Sequence, residues 1–254
     1  MGSATEIYLR GSAGDPAVRA LALLRDRNDE LLAETWAKAA LLSELRLAAA
    51  DRQTARDGMV VFCTDRVLCH LVSVDWALYA PASGAADTRL LVRALRAQHQ
   101  IITGHIHDLR AASTADQVNA AAHAVATALA ACQEVERRVL LPALAELPGV
   151  DLVSLVEDLE TLLDGGSLEP PDELDVRGIP HGQRHPRIFG SFARLAKGES
   201  FVLVNNHDPK PLRREFEATY PGQFAWEYVE SGPTEWRIRI GRFPVAAHDG
   251  QVDA

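Results

Sequence analysis

Apolar positions recur every three to four residues through most of the first two thirds of the chain, and every second residue through much of the last third. Asp15-Pro16 reads as a helix start, with Asp as the cap and Pro in the first turn. From there to about Ala50, Leu21, Leu24, Asn28, Leu31, Thr35 and Leu42 share one helical face, and Asn28 is the polar member of that stripe. A second segment, from about Asp57, carries Phe62, Cys63, Val67, His70, Val74 and Leu78 and is closed by Pro81, Ser83 and Gly84. Cys63 and His70 are seven residues apart and so face the same way. A third, Thr88 to about Arg110, repeats the period at Leu91, Leu95, His99, Ile102 and Ile106. Ser113 with Asp116 resembles a capping box for a fourth, alanine-rich segment that ends at Leu141-Pro142, and Asp151 to Leu163 forms a short fifth. Long amphipathic helices joined by short connections predict an antiparallel four-helix bundle.

The texture changes at Asp164 to Asp172, where glycines, prolines and acids replace the periodic pattern, and this stretch reads as a linker. Beyond it come a short strand at Leu174 to Val176, a helix at Arg184 to Leu195 and a strand at Phe201 to Val204. A second helix follows at Pro211 to Tyr220, then a hairpin built from Phe224/Trp226/Tyr228 and Trp236/Ile238/Ile240 around Gly232-Pro233. That β-α-β-α-β-β order predicts a small α/β two-layer sandwich. The expected division is an arm (1–15), an all-α bundle (16–163), a linker (164–173), the α/β domain (174–244) and a tail (245–254).

Composition narrows the classes of function. A length of 254 residues suits two domains, and 47% hydrophobic with 24% charged residues is ordinary for a globular protein with a sizeable core. A net charge of -9 argues against a nucleic-acid binder, which needs a basic face. No apolar run approaches the roughly 20 residues of a membrane span, and the start of the chain has no signal pattern. Cys63, Cys69 and Cys132 are too few and too irregularly spaced for a disulfide framework, so a reducing cytoplasmic setting is expected.

The chemistry-bearing residues lie on the inward stripes. His70, His99 and the pair Cys132/Glu136 come from three different helical segments, and Cys132 and Glu136 are four apart and so neighbours on one helix face. A histidine on an apolar face is by itself more often a hydrogen-bonded core residue than a ligand, and cysteine is commonly buried for its packing alone. Taken together, the segments Val67-Leu68-Cys69-His70, Ala77-Leu78-Tyr79, Ala97-Gln98-His99, Cys132-Gln133-Glu134-Val135-Glu136 and Val139-Leu140-Leu141-Pro142 resemble the hemerythrin-like (HHE) superfamily over roughly Pro16 to Pro148. That resemblance implies a metal site inside the bundle, with departures at several positions. Val74 stands where the family has a carboxylate, Cys132 where it has a histidine, and Asn28 near the place of the first-helix histidine. His70, His99 and Glu136 remain. An intact di-iron centre then lacks the anionic oxygens to balance two cations. An apolar chamber with one or two histidines suits a haem b with His70 or His99 as axial ligand, the leading expectation. A mononuclear iron or zinc held by His70, His99, Glu136 and Cys132 is the alternative, and Asn28 is either a buried hydrogen-bond partner or a donor on the open side.

In the last third, Leu174-Asp175-Val176-Arg177-Gly178-Ile179-Pro180, Val204-Asn205-Asn206-His207-Asp208-Pro209 and Phe224-Ala225-Trp226-Glu227-Tyr228 look like a TusA/SirA-like domain of unknown function, of a kind often found beside hemerythrin-like bundles. Its sulfur-carrying relatives use a cysteine in the loop where this chain has His181, and no cysteine follows Cys132, so sulfur relay in that form is excluded. His185 and His207 are candidates to line a site shared with the bundle, against the plainer role of His207 and Asp208 in shaping a turn. The function expected is an iron-dependent oxidoreductase acting on a small molecule with oxygen, peroxide or a nitrogen oxide. A non-catalytic sensor of a diatomic ligand and a metal-free structural bundle are the alternatives, with a homodimer left open.

Overall fold

In the computed structural model, residues 15–44 and 49–243 are described, so the expected arm and tail lie outside the described residues apart from Asp15. Among the described residues up to 163, the regular structure is all helical. The helices are α1 (Pro16–Leu42), α2 (Ala49–Phe62), α3 (Leu68–Val74), α4 (Ala80–Ser83), α5 (Ala86–Ala111), α6 (Ala115–Val135), α7 (Leu141–Glu146) and α8 (Leu152–Leu163). Three π-helical turns join some of these end to end: Cys63–Val67 between α2 and α3, Asp75–Tyr79 between α3 and α4, and Glu136–Leu140 between α6 and α7. Each closes an N–H to C=O bond across five residues, from Leu68 to Cys63, Ala80 to Asp75 and Leu141 to Glu136. The backbone stays right-handed helical at each junction.

Several boundaries differ from the periodic reading for local reasons. The first helix stops at Leu42, where the Ser43 N–H turns back to the Ala40 and Leu41 carbonyls. Helix resumes at Ala49, well before Gly58. The box at the start of α6 is Thr114 with Gln117, one residue on from Ser113/Asp116: the Gln117 N–H donates to Thr114 Oγ1 at 3.2 Å and Gln117 Oε1 accepts from the Thr114 N–H. Glutamine reaches back to the cap backbone as a neutral acceptor, which the shorter aspartate does not do here. Pro142 does not end the fourth segment: it follows the π turn Glu136–Leu140, and the helix carries on through α7 to Glu146.

The alanines of α6 let two neighbours approach it closely, and α6 packs between α1 and α5. The α2 helix packs on α1, and α8 lies over α1, α3 and the second π turn. Leu24, Leu31, Leu95, Ile102, Ile106, Val125 and Leu129 fill one apolar core, and Thr35 sits in it with its hydroxyl donated to the Leu31 carbonyl at 2.7 Å. No helix among the described residues is long and apolar enough to cross a membrane.

After residues 164–172, which carry neither helix nor strand, comes an α/β part: β1 (Glu173–Asp175), α9 (His181–Arg194), β2 (Ser200–Asn205), α10 (Lys210–Thr219), β3 (Phe224–Ser231) and β4 (Trp236–Arg242). The sheet order is β1-β2-β4-β3, with β1 parallel to β2 and the other pairs antiparallel. Phe201, Leu203, Ile238 and Ile240 meet Phe189, Phe192 and Phe216 of the two helices in a second, aromatic core. The two cores abut. An added Cβ on Gly84 would lie 2.6 Å from the backbone of His185 and Pro186, so only glycine allows this approach of α9. Around it, Glu215 takes both Arg89 (3.0 Å) and His185 (2.9 Å), Arg96 reaches Tyr220, and the Arg242 guanidinium lies 4.8 Å over the Trp76 ring.

Candidate metal centre

A largely buried polar cluster brings together side chains of α5, α6 and the second and third π turns. Tyr79 closes the second π turn, Glu136 opens the third, Cys132 sits one turn before Glu136 on α6, and His99 projects from the middle of α5. The Tyr79 hydroxyl donates to Glu136 Oε1, lies 3.0 Å from His99 Nε2 and 3.8 Å from Cys132 Sγ. Glu136 Oε1 is itself 3.8 Å from both His99 Nε2 and Cys132 Sγ. One imidazole nitrogen, one sulfur and one carboxylate oxygen, all within 4.8 Å of one another, thus surround a single phenol oxygen. Ligands bound to one tetrahedral ion at about 2.0–2.3 Å stand roughly 3.3–3.8 Å apart, so the three donors share a cation only once they move slightly inward and the Tyr79 hydroxyl among them moves aside.

The electrostatics are those of a cation-deficient pocket. Glu136 is 3% exposed and forms no ion pair with Lys or Arg among the described residues. Burial, reinforced by Glu136, pushes the Cys132 thiol up to about 12, so it stays protonated unless a cation arrives. Burial and the same carboxylate drive the Tyr79 phenol far above its ordinary value. His70 lies next to this cluster without joining the donor group. Burial brings its imidazole down to about 4, with Glu136 opposing and His99 adding to the fall, so the ring is neutral near pH 7.

The other sequence-singled residues are dispersed. Val74 is core. Asn28 lines a separate groove between α1 and α6. His185 belongs to the contact with Glu215. His207 is exposed beside His181, ring centroids 5.4 Å apart, with Nδ1 2.8 Å from Asn206 Oδ1. Neither His185 nor His207 lines the cleft between the helical and α/β parts, where Tyr220 and Gln223 take that place opposite His99, Arg96 and His107. His99 is the cluster member that reaches this cleft.

Tyr79 is the member that periodicity misses. It follows His70 by nine residues, which on an uninterrupted α-helix at about 100° per residue turns it roughly to the opposite face. The extra residue in the Asp75–Tyr79 π turn takes about one residue's rotation off that angle and brings the phenol inward. The signal present in the sequence was Tyr79 inside the segment Ala77-Leu78-Tyr79 that carried the family resemblance.

Residues 173–242 match the family described as "Uncharacterized conserved protein (DUF2249)". No curated protein and no solved structure matches the chain.

Proposed function

We propose that the protein is an oxidoreductase that holds one transition-metal ion, iron in the first instance, between His99, Cys132 and Glu136 in a modified hemerythrin-like four-helix bundle, and that it acts on a small oxidant such as oxygen, peroxide or a nitrogen oxide. The observation that carries this reading is the convergence of imidazole, thiol and carboxylate on one hydroxyl in a buried place where Glu136 pairs with no Lys or Arg among the described residues. Imidazole with thiolate and carboxylate suits iron or zinc. The second iron of the hemerythrin pattern has no carboxylate at Val74 to hold it. Haem b fits less well. A porphyrin needs an open apolar slot over the axial imidazole, whereas the Tyr79 ring lies beside the His99 ring, centroids 5.0 Å apart.

A bound iron would supply one-electron chemistry. The chain supplies the rest. Glu136 and the Cys132 thiolate neutralise the ion's charge, and His99 leads from the ion to the cleft. Tyr79 keeps its proton at Oη and donates it in a hydrogen bond to Glu136 Oε1, which fixes the orientation of that carboxylate. The α/β part, TusA-like in pattern and without a cysteine, forms one wall of the approach through Tyr220 and Gln223. That shared cleft also favours a second reading, a sensor in which ligation at the ion shifts the contact between the two parts.

The test is metal content and spectroscopy of the full chain. Purified from iron-supplemented cells or reconstituted anaerobically with Fe(II), it is expected to hold one ion per chain, and Co(II) in its place is expected to show a thiolate-to-cobalt charge-transfer band that Cys132→Ala abolishes. A protein that takes up neither ion defeats the proposal, and a Soret band would return the argument to haem. Turnover of peroxide or a nitrogen oxide separates the enzyme from the sensor, which would change its spectrum without turnover.

A further inference from the structure

The second π turn, Asp75–Tyr79, is tied at both ends to one helix. At its first residue the Asp75 carboxylate accepts from Arg96 Nε at 2.6 Å, and at its last the Tyr79 hydroxyl lies 3.0 Å from His99 Nε2. Arg96 and His99 are three residues apart on α5 and so neighbours on its surface. The α/β part takes hold of the same turn from outside. Arg96 Nη2 donates to the Tyr220 hydroxyl at 3.3 Å, and Arg242 of β4 lies over the ring of Trp76, the turn's second residue. Tyr220 is a firm anchor: it is buried, its ring centroid 4.9 Å from that of Phe192 in the aromatic core. The Arg96–Asp75 bond joins a guanidinium to a carboxylate, both only partly exposed, and charge-assisted bonds are roughly twice as strong as neutral ones.

We infer that Arg96 is a positioning residue, which passes the hold of the α/β part through Asp75 to the second π turn and so sets how Tyr79 meets His99 and Glu136. A π turn carries one residue more than the α-helix on either side of it. The direction of Tyr79 therefore depends on the rotation held between Asp75 and Tyr79, where the Ala80 N–H closes on the Asp75 carbonyl. With Arg96 gone, the start of the turn is free to rotate, and the phenol swings relative to the imidazole. Among the described residues, neither Arg96 nor Tyr220 forms a hydrogen bond or ion pair with His99, Cys132 or Glu136. Their effect passes through the turn, along contiguous contacts. The inference rests on reading that cluster as the working site, but the aim of Tyr79 is measurable without a metal.

The test follows the His99 ring nitrogens of the metal-free, full-length protein by NMR, with Tyr79→Phe marking the signals of an imidazole that has lost the phenol. Arg96→Gln is expected to move the His99 signals toward the Tyr79→Phe position. Tyr220→Phe, which removes one hydroxyl and keeps the ring packed, should move them the same way by less. Arg96→Lys keeps a cation beside Asp75 but lacks the second arm to Tyr220, and should fall between wild type and Arg96→Gln. Arg89→Gln is the control: it cuts the ion pair with Glu215 in the same contact between the two parts and should leave the His99 signals in place. If Arg96→Gln fails to fold, Tyr220→Phe against Arg89→Gln still decides. His99 signals that stay at their wild-type position in Arg96→Gln or in Tyr220→Phe, or that Arg89→Gln moves as far, would overturn the inference. A wild type that takes up no metal would defeat the metal reading and leave this result standing.

Discussion

Tyr79 and Glu136, 57 residues apart in sequence, meet in the core through a hydrogen bond from the phenol to the carboxylate, and each belongs to a π-helical turn. One unusual turn in each of two helices is what lets the side chains point at each other, and π turns of this kind are frequent at functional sites. The hydroxyl also satisfies the cluster when it holds no cation. Tyr79→Phe is therefore expected to destabilise the metal-free protein by about 1–3 kcal/mol, the cost of leaving a buried acceptor unpaired. Urea unfolding of metal-free wild type and variant measures this, and equal midpoints would show that the phenol does not support Glu136.

Metal uptake should release protons. With its thiol pushed up to about 12, Cys132 is protonated in the metal-free protein at neutral pH and must give up that proton to bind an ion. Apparent affinity for Co(II) is expected to rise with pH over about pH 6 to 8, by up to roughly tenfold per unit for each proton released. Calorimetry in buffers of different ionisation enthalpy counts the protons. The pH dependence should flatten in Cys132→Ala, and an unchanged slope in that variant would remove the thiolate from the ligand set.

His99, Cys132 and Glu136 were legible in the sequence because each keeps helical spacing to its own apolar stripe, and α5 and α6 are regular up to the residues that matter. Tyr79 was not, because the π turns at Cys63–Val67 and Asp75–Tyr79 reset the phase of the helix, and a one-residue reset leaves no mark in composition. His70 shows the same limit from the other side. Its inward stripe is real, yet burial next to His99 and Glu136 does not place its nitrogen among their donor atoms. The α/β order followed from period-two strands and their turns. The cleft and the pairing of His185 with Glu215 depend on how two separate cores meet, which a one-dimensional pattern does not encode.

His70 should make the metal-free protein acid-sensitive. Its folded value of about 4 lies below the ordinary 6.5, so the unfolded chain binds the extra proton first as the pH falls. The contribution of this group is then fully present above about pH 6.5, declines as the pH drops, and levels off below about pH 4. The difference corresponds to about 3 kcal/mol across that window. His70→Phe is expected to flatten the stability profile there. A variant that loses stability between pH 6.5 and 4 as steeply as wild type would show that other groups set the slope.

The approach of α9 to the helical region hangs on Gly84, and this gives the sharpest structural prediction. Its φ of −73° is open to any residue, so alanine meets no backbone strain there, only the His185 and Pro186 backbone 2.6 Å away. Backbone yields less readily than a side-chain tip, so Gly84→Ala should cost about 1–3 kcal/mol and lower the melting temperature by several degrees. It should also loosen the neighbouring pairs of Glu215 with Arg89 and His185. Gly58→Ala is the matched control. Nothing lies within 4 Å of its added Cβ, and within α2 alanine is the better helix former by about 1 kcal/mol, so that variant should melt higher. If Gly84→Ala melts with Gly58→Ala rather than below wild type, α9 does not rest on Gly84, and the cleft that His99 shares with Tyr220 loses its support.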